Sequence, residues 1–347
     1  MNWTVERHDL ALSAPFGIAR GTSETSATVV VELIHEGTTG YGAVSPSAYY
    51  DETPESVAGT LPALLETVAS VGDPHAGQRI ERRHREQAPH QPAARSAVSA
   101  AVADVAARNL GVPLYRQWGL DPGKAPPTTY TVGIAPPERM AEKAAAAVEA
   151  GFGKLKIKLG ADDDRRRFEA VRDAVPAAEL RVDANAAWDA EAAVEASAWL
   201  EAGGVTMLEQ PVPAGDIDGL RRVTEATALA VCADESCPTA ADVPRLADAC
   251  DVVNAKLAKC GGVRAARRLI HAADAQGLAP MLGCMVASSA AVAPAVHLAP
   301  LVEYVDLDGA LLLDSDPYEG VPVDGDRFDL AAVGSGTGVS PAGFDAE

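Results

Sequence analysis

The chain has 347 residues, 48% of them hydrophobic, and carries a formal net charge of −20 at pH 7. This length fits one large domain with a smaller companion, and the negative charge disfavours binding to nucleic acid or to anionic membranes. The N-terminus has no basic segment followed by an apolar one, and no apolar run has spanning length, so we expect a soluble, cytoplasmic protein.

Cysteine and lysine are both distributed unevenly. The five cysteines lie in the second half of the chain without CxxC spacing, which argues against a disulfide framework or a zinc site. Only seven of the 29 basic residues are lysines, yet five of these fall at 154–158 and 256–259. Lysine can lose its proton at useful pH and arginine cannot, so the clusters indicate positions that need a titratable amine.

The first third of the chain predicts an α+β domain. Alternating, β-branched segments at 2–13, 25–36 and 39–46 predict an antiparallel meander. Helices are predicted from Thr53-Pro54 onward and over about 93–109, because a capping residue precedes proline in one and alanine dominates the other. Proline and glycine then interrupt the chain at 121–127, so we assign residues 1–122 to a capping domain.

Residues 123–313 alternate short apolar strands with alanine-rich helices, a pattern typical of a parallel sheet. Eight strands at this spacing favour a closed barrel over an open sheet, and no glycine-rich phosphate fingerprint follows the first strand. The acidic, Gly- and Pro-rich residues 314–347 are expected to pack back on the capping domain. The predicted strands are 128–134, 154–159, 179–184, 205–210, 229–234, 251–257, 279–285 and 303–308.

Five of these strands end in a charged residue, at intervals of 25, 26, 25 and 22 residues: Lys158, Asp183, Glu209, Asp234 and Lys256. Each interval equals about one strand and one helix, so we expect equivalent positions on successive strands. The carboxyl ends of parallel barrel strands form one rim, where active sites lie. The charges should therefore meet in space.

Three carboxylates in one small volume, Asp183, Glu209 and Asp234, repel one another unless a cation compensates them. A hard divalent ion with oxygen ligands fits this set, and Mg²⁺ suits a site without His or Cys. Taken singly, each acid could equally be a cap or surface carboxylate; the shared spacing favours one Mg²⁺ per subunit.

Lys158 on the second strand and Lys256 on the sixth are predicted to flank this metal. A C–H beside a carboxylate is a very weak acid, and its removal needs the charge of the developing enediolate to be stabilised. Two lysines on opposite faces of that carbon suit proton removal and return. Lys156 projects to the same side as Lys158 and is assigned to the catalytic and substrate-binding residues, whereas Lys154 and Lys259 are assigned to surface charges or ion pairs.

The chain resembles the muconate-lactonizing-enzyme subgroup of the enolase superfamily. The resemblance implies a modified TIM-type (β/α)7β barrel, completed by an α+β capping domain and the C-terminal segment, with Mg²⁺ and lysine bases. It rests on KIK (156–158), VDANAAW (182–188), LEQPVP (208–213), ADES (233–236) and NAKLAKCGG (254–262).

Further stretches resemble dipeptide epimerases, especially the L-Ala-D/L-Glu type: PFGIARG (15–21), MLGCMVASS (281–289) and DLDG (306–309). The resemblance implies that Asp306 and Asp308 bind the dipeptide's α-ammonium. Arg20, on a loop over the barrel mouth, would bind an acidic side chain, although pairing with a surface acid is an equal alternative. Thr131, Asn185 and Cys284 would line the pocket, with Lys158 serving the (R)-configured carbon and Lys256 the (S)-configured one.

Three interpretations remain open. The first is epimerisation of L-Ala-D/L-Glu or a related dipeptide, as in peptidoglycan recycling, by an enzyme expected to be a homo-oligomer. The second keeps the metal and lysines but catalyses o-succinylbenzoate synthesis or racemises N-acylamino acids, which offer no cation to Asp306 and Asp308. The third is an inactive binding barrel. A cysteine nucleophile is disfavoured because no histidine lies at a strand end to activate it.

Overall fold

The N-terminal strands form an antiparallel meander in the computed structural model, which describes residues 1–343. Strands β1 (Asn2–Ile18), β2 (Gly21–His35) and β3 (Thr38–Val44) pair in that order. The meander prediction is confirmed, but the β1–β2 hairpin is longer than expected. Pairing is interrupted between Ala11 and Phe16 and then resumes as far as Ile18 and Gly21. Arg20 therefore lies in the turn of a hairpin, not on a loop.

Three helices cover this meander: α1 (Pro54–Val71), α2 (Gly77–Gln87) and α3 (Pro92–Asn109). Thr53 caps α1 by accepting from the Ser56 backbone N–H, as the threonine before proline predicts. Helix α2 was not predicted from the sequence, because residues 77–87 are almost entirely polar. Only Ile80 and His84, one turn apart, are buried.

Helix α3 lies directly against β3. A Cβ atom added at Gly42 would come within 2.1 Å of the Ala97 carbonyl oxygen, and one at Gly40 within 2.6 Å of the Val105 backbone nitrogen. Glycine on the strand and alanine on the helix thus allow the two backbones to approach closely. This contact holds the cap's sheet and its central helix in one core.

Eight parallel strands form the barrel sheet, in sequence order. A bridge between Thr128 and Val305 connects its two edges. The closed-barrel prediction is confirmed, with each predicted strand found within its expected range. The strands are β4 (Tyr130–Val132), β5 (Lys154–Lys158), β6 (Glu179–Asp183), β7 (Val205–Glu209), β8 (Ala230–Ala233), β9 (Val252–Lys256), β10 (Ala279–Gly283) and β11 (Tyr304–Asp306).

Helices pack around the strands, and the apolar strand residues between the charged ones face them in one large core. Inside the barrel, Met207, Cys232, Val252 and Met281 form a separate apolar cluster below the charged rim. The helices are α4 (Leu114–Gln117), α5 (Pro137–Glu149), α6 (Asp164–Ala174), α7 (Ala190–Ala202), α8 (Ile217–Ala226), α9 (Val243–Leu246), α10 (Leu257–Cys260), α11 (Val263–Ala275) and α12 (Ser289–Val296).

The C-terminal segment contacts the cap through Asp104 of α3. This buried carboxylate accepts hydrogen bonds from the backbone N–H of Tyr41 and from both the N–H and hydroxyl of Thr337. Four short strands form two small antiparallel pairs, in which β12 (Tyr318–Glu319) pairs with β15 (Ser340–Pro341), and β13 (Val323–Asp324) pairs with β14 (Arg327–Phe328). The domain limits at 122 and 313 stay predictions, and residues 344–347 of the predicted segment lie outside the described residues.

Among the helices that the structure describes, none combines the length and the apolar character needed to cross a membrane.

Candidate active site

The charged strand ends meet at one rim of the barrel. Lys158, Asp183 and Glu209 are register partners on β5, β6 and β7, as the spacing predicts. The prediction of equivalent positions is wrong for the next two strands. Asp234 and Lys256 lie two and four residues beyond Cys232 and Val252, which continue the same register. Strands in a closed barrel are tilted and staggered, so side chains that meet in space need not share one register.

Each of the two predicted bases is paired with a different carboxylate. The Lys158 Nζ lies 2.5 Å from Asp183 Oδ2, and the Lys256 Nζ lies 2.6 Å from Asp234 Oδ2. All four side chains are buried. Strands β5 and β9 are four strands apart in an eight-stranded barrel, so the two lysines enter the rim from opposite sides.

Lys156 occupies the middle of the carboxylate group. Its ammonium donates to Asp306 and lies 3.4 Å from Glu209 Oε2 and 3.8 Å from Asp183 Oδ2. Burial alone would lower the pKa of Lys156, but the charges of these three acids outweigh it and hold the pKa well above its ordinary value. Lys156 is therefore a fixed positive charge.

The three rim carboxylates have the donor chemistry of a hard-cation site. Burial, followed by the charges of Asp183 and Asp234, raises the pKa of Glu209 to about 7, which shows that the three acids interact repulsively. Asn254 Nδ2 donates to Glu209 Oε1 at 2.7 Å and orients that carboxylate. A divalent cation would relieve this repulsion, so the chemistry of the residues fits Mg²⁺.

The carboxylates nevertheless point at lysines in this structure. Over residues 1–343, no group of three His, Cys, Asp or Glu side chains is arranged to hold a metal ion. Each of three lysines forms an ion pair with at least one of these acids: Lys156, Lys158 and Lys256. Burial alone would raise the pKa of Asp234, but the charges of Lys256 and Lys259 outweigh burial and hold this pKa well below its ordinary range. The convergence of the three acids is observed, whereas their joint coordination of one ion stays a prediction.

Asp306 and Asp308 both face the cavity at the end of β11, as the i, i+2 spacing predicts. Asp306 contacts Lys156 and accepts from the Thr129 hydroxyl. Asp308 accepts from the Thr131 backbone N–H at 2.6 Å and from its hydroxyl at 3.2 Å. Burial and then the charge of Asp306 raise the pKa of Asp308 to about 7. A cation bound here would contact two carboxylates whose orientation is already fixed by hydrogen bonds and an ion pair.

Asn185 and Cys284 also line the cavity. Asn185 adopts a left-handed backbone conformation, with φ of 47°, and its N–H donates to Asp183 Oδ1 at 2.8 Å. Burial raises the pKa of the Cys284 thiol well above its ordinary value, with the charge of Asp308 adding to the effect. The expectation that Cys284 is not a nucleophile agrees with this shift.

Arg20 joins the hairpin turn to the barrel rim. Its Nη2 donates to Glu235 Oε1 at 3.0 Å, its Nη1 donates to the Asn185 carbonyl at 2.7 Å, and its guanidinium lies 4.5 Å from the Tyr49 ring centroid. Glu235 is a buried residue of the cavity wall. Arg20 therefore pairs with an acid, as the alternative expected, but that acid is a buried residue of the rim and not a surface one. Contact with a substrate stays a prediction.

The cavity between cap and barrel has a volume of about 350 Å³, within the range of small-molecule sites. Phe16, Ile18 and Arg20 from the hairpin line one side, and the barrel residues line its floor. The 47–53 stretch, which gave no charge rule, contributes Ser47, Ala48 and Tyr50. The cavity thus combines a cap-derived wall of mixed apolar and polar residues, in which Arg20 carries a charge, with a charged floor.

Two residues that orient Asp234 and its neighbours were not predicted as site residues from the sequence. Lys259, assigned from the sequence to surface charges or ion pairs, does form an ion pair, but a buried one: its Nζ donates to the Asp234 carbonyl and to Asp234 Oδ1 at 2.6 Å. Gln210 accepts from the Asp234 and Ser236 backbone N–H groups, at 2.9 and 3.0 Å. Lys154, by contrast, forms the expected partly exposed ion pair with Glu179. The signal for Lys259 was present in its cluster with Lys256.

Both parts of the chain match known protein families. Residues 2–119 match the profile of the mandelate racemase / muconate lactonizing enzyme N-terminal domain, and residues 139–343 match that of the enolase C-terminal domain-like family. The chain belongs to the enolase superfamily. Within this superfamily, it is 36% identical over 340 residues to an L-Ala-D/L-Glu epimerase of Bacteroides thetaiotaomicron, covering 96% of this chain and 87% of that one.

Two solved structures of the superfamily resemble the whole chain. The substrate-liganded L-Ala-D/L-Glu epimerase of Bacillus subtilis superposes with a TM-score of 0.92 at 30% identity, covering 99% of each chain. The dipeptide epimerase of Enterococcus faecalis V583, complexed with Mg and L-Leu-L-Tyr, gives 0.89 at 31% identity, covering 97% of this chain and 98% of that one. The family resemblance predicted from the sequence motifs is confirmed.

Proposed function

We propose that this protein is a Mg²⁺-dependent dipeptide epimerase, acting on L-Ala-D/L-Glu or a related dipeptide. The observation that carries the proposal is the pair of buried lysines, Lys158 and Lys256, on opposite sides of one cavity, each beside a different carboxylate. The full-length similarity to proteins named dipeptide epimerases supports the same activity.

In the proposed reaction, the α-carbon of the C-terminal residue lies between the two Nζ atoms. One lysine, as the amine, accepts the α-proton, and the electron pair moves into the adjacent carboxylate to give an enediolate. The other lysine, as the ammonium, donates a proton to the opposite face of the carbon. Lys158 serves the (R)-configured epimer and Lys256 the (S)-configured one, so the lysines exchange roles between directions.

Lys156 supplies a permanent positive charge beside the reacting carboxylate, in a buried position where charge acts strongly. Asp183, Glu209 and Asp234 would hold the Mg²⁺ ion, which would supply positive charge to stabilise the developing enediolate. Asn185 supports this set by donating to Asp183.

Substrate orientation is assigned to the other cavity residues. Asp306 and Asp308 bind the free α-ammonium, and Thr131 fixes the Asp308 carboxylate. Arg20 faces the side chain of the second residue, with Cys284 in the wall near Asp308. We further propose a cytoplasmic homo-oligomer that serves peptidoglycan recycling.

The alternatives make different demands on these residues. Synthesis of o-succinylbenzoate or racemisation of N-acylamino acids would leave Asp306 and Asp308 without a cationic substrate group. A binding barrel without activity would not need two buried lysines in ion pairs with separate carboxylates. The acidic pair at the end of β11 therefore favours a substrate with a free amine.

A library of dipeptides in D₂O with Mg²⁺ tests the proposal by ¹H NMR. We expect loss of the α-proton signal at the C-terminal residue of free-amine dipeptides with the native protein, and no interconversion of the two epimers by Lys158→Ala. Lys154→Ala, which removes a lysine from the far end of the same strand, is the matched control and should remain active. Exchange confined to N-acylated amino acids would contradict the dipeptide assignment.

A further inference from the structure

A cleft of about 830 Å³ lies outside the active site, between α2 of the cap and α11 of the barrel. Five of the nine residues lining it are arginines and two are glutamates, which gives a local excess of positive charge. The chain as a whole carries −20, so this concentration runs against its general charge. The arginines are Arg82 and Arg85 on α2, and Arg264, Arg267 and Arg268 on α11.

Internal ion pairs satisfy only part of this cluster. Glu81 accepts from both Arg268 Nη groups and from Arg264 Nε at 3.3 Å, which ties α2 to α11. Arg82, Arg85 and Arg267 form no ion pair with an acid within residues 1–343. The arginines that hold the two helices together are thus distinct from those left without an acidic partner.

The guanidinium of Arg267 packs against an aromatic ring beside the cleft. Its Nε is buried and has no hydrogen-bond acceptor among the described residues, and its guanidinium lies 4.8 Å from the Trp118 ring centroid. Stacking on an aromatic ring fixes the plane of a guanidinium and leaves its N–H edge free for an anion. Arg267 lines the cleft without an acidic partner, so an anion bound there would gain a charge-assisted contact with its guanidinium.

We propose that this cleft binds a small anion carrying two or more phosphate or carboxylate groups. Guanidinium groups from two facing helices suit bidentate contacts to several anionic groups at once. All nine lining residues are polar or charged, whereas the buried centre of a protein interface is typically more apolar and depleted in charged residues. The composition therefore favours a small multivalent anion over a docked protein.

Binding to the holoenzyme in excess Mg²⁺ tests the proposal by calorimetry. Fructose 1,6-bisphosphate probes the phosphate class and propane-1,2,3-tricarboxylate the carboxylate class, with fructose 6-phosphate as the singly phosphorylated comparison. We expect one multivalent probe to bind at one site per chain, at least about tenfold more tightly than fructose 6-phosphate, and more weakly as salt is raised.

The variant Arg85→Gln/Arg267→Gln should weaken that binding at least about tenfold while epimerase activity is unchanged. Arg79→Gln is the matched control, because Arg79 is an exposed arginine of α2 that does not line the cleft. The proposal is overturned if neither multivalent probe binds at millimolar concentration, or if Arg79→Gln weakens binding as much as the double variant. Self-association that depends on Arg85 and Arg267, seen by light scattering, would also overturn it in favour of a protein contact.

Discussion

Lys259 donates to both the backbone carbonyl and the side-chain Oδ1 of Asp234, the carboxylate that also accepts from Lys256. The two lysines belong to one strand and the helix turn that follows it, and both are buried. Lys259 therefore fixes the orientation of Asp234 and leaves Lys256 to face the cavity. This assigns different tasks to two lysines only three residues apart.

Lys259→Met should weaken Mg²⁺ binding by about 10- to 100-fold, because Asp234 loses the contact that orients it. Calorimetric titration of Mg²⁺ into the metal-free protein measures the effect, and activity should recover in part at high Mg²⁺. Lys154→Met, which removes a partly exposed pair with Glu179, is the control and should bind Mg²⁺ normally. Unchanged Mg²⁺ affinity in Lys259→Met would contradict the assignment.

Arg20→Met should lower kcat/KM for L-Ala-L-Glu at least about tenfold more than for L-Ala-L-Leu, because only the acidic side chain loses an ionic contact. Steady-state kinetics on the two dipeptides gives this ratio. Both substrates will share the loss of the Glu235 and Asn185 contacts, so their ratio isolates the substrate interaction. Equal losses for the two dipeptides would mean that Arg20 only secures the hairpin.

Gly42→Ala should destabilise the protein by roughly 1–3 kcal/mol, because the new methyl group overlaps the α3 backbone at Ala97 and Ala101. Gly59→Ala is the control, since nothing lies within 4 Å of a Cβ there and the residue is in α1. The control should be neutral or more stable by about 0.5–1 kcal/mol. Urea unfolding of both variants compares them, and equal stabilities would refute the close-packing explanation.

Stability should fall as the pH decreases from about 6.5 to 4, in part because of His84. Burial lowers the pKa of His84 to about 4, while its Nε2 donates to the Leu64 carbonyl. The unfolded chain then binds more protons than the folded one in this window, so the stabilisation is complete above it and is lost on acidification. The contribution is roughly 3 kcal/mol.

His84→Gln tests this by removing the titration while retaining an amide donor. The difference in unfolding free energy between the native protein and the variant should shrink between pH 7 and 4. A difference that is constant over this range would show that His84 does not titrate as described.

Much of the barrel and its rim was predictable because the strands are short apolar runs, several of which end at a charged residue. The stagger of Asp234 and Lys256 was not, because it depends on the tilt of strands in a closed sheet and not on sequence spacing. Helix α2 was missed because only Ile80 and His84 face the core. The burial of Lys259 was missed because a lysine side chain usually faces solvent.

The hairpin also exceeded its prediction. Pro15 and Gly17 interrupt the alternation that identifies a strand, yet pairing resumes from Phe16 to Ile18. Gly17 is required there, because a Cβ would lie 2.2 Å from the Ile134 carbonyl oxygen. A residue that argues against a strand in sequence thus allows the hairpin to approach the barrel.

The assignment of Lys158 to the (R)-configured epimer and Lys256 to the (S)-configured one is tested most directly by solvent exchange in single variants. Each of Lys158→Ala and Lys256→Ala is incubated in D₂O with Mg²⁺ and separately with L-Ala-L-Glu and L-Ala-D-Glu. We expect that neither variant interconverts the epimers. Lys158→Ala should exchange only the L-Glu α-proton, and Lys256→Ala only the D-Glu α-proton. If both variants lose exchange from the same epimer, or either one still interconverts the epimers, the two-lysine account is wrong.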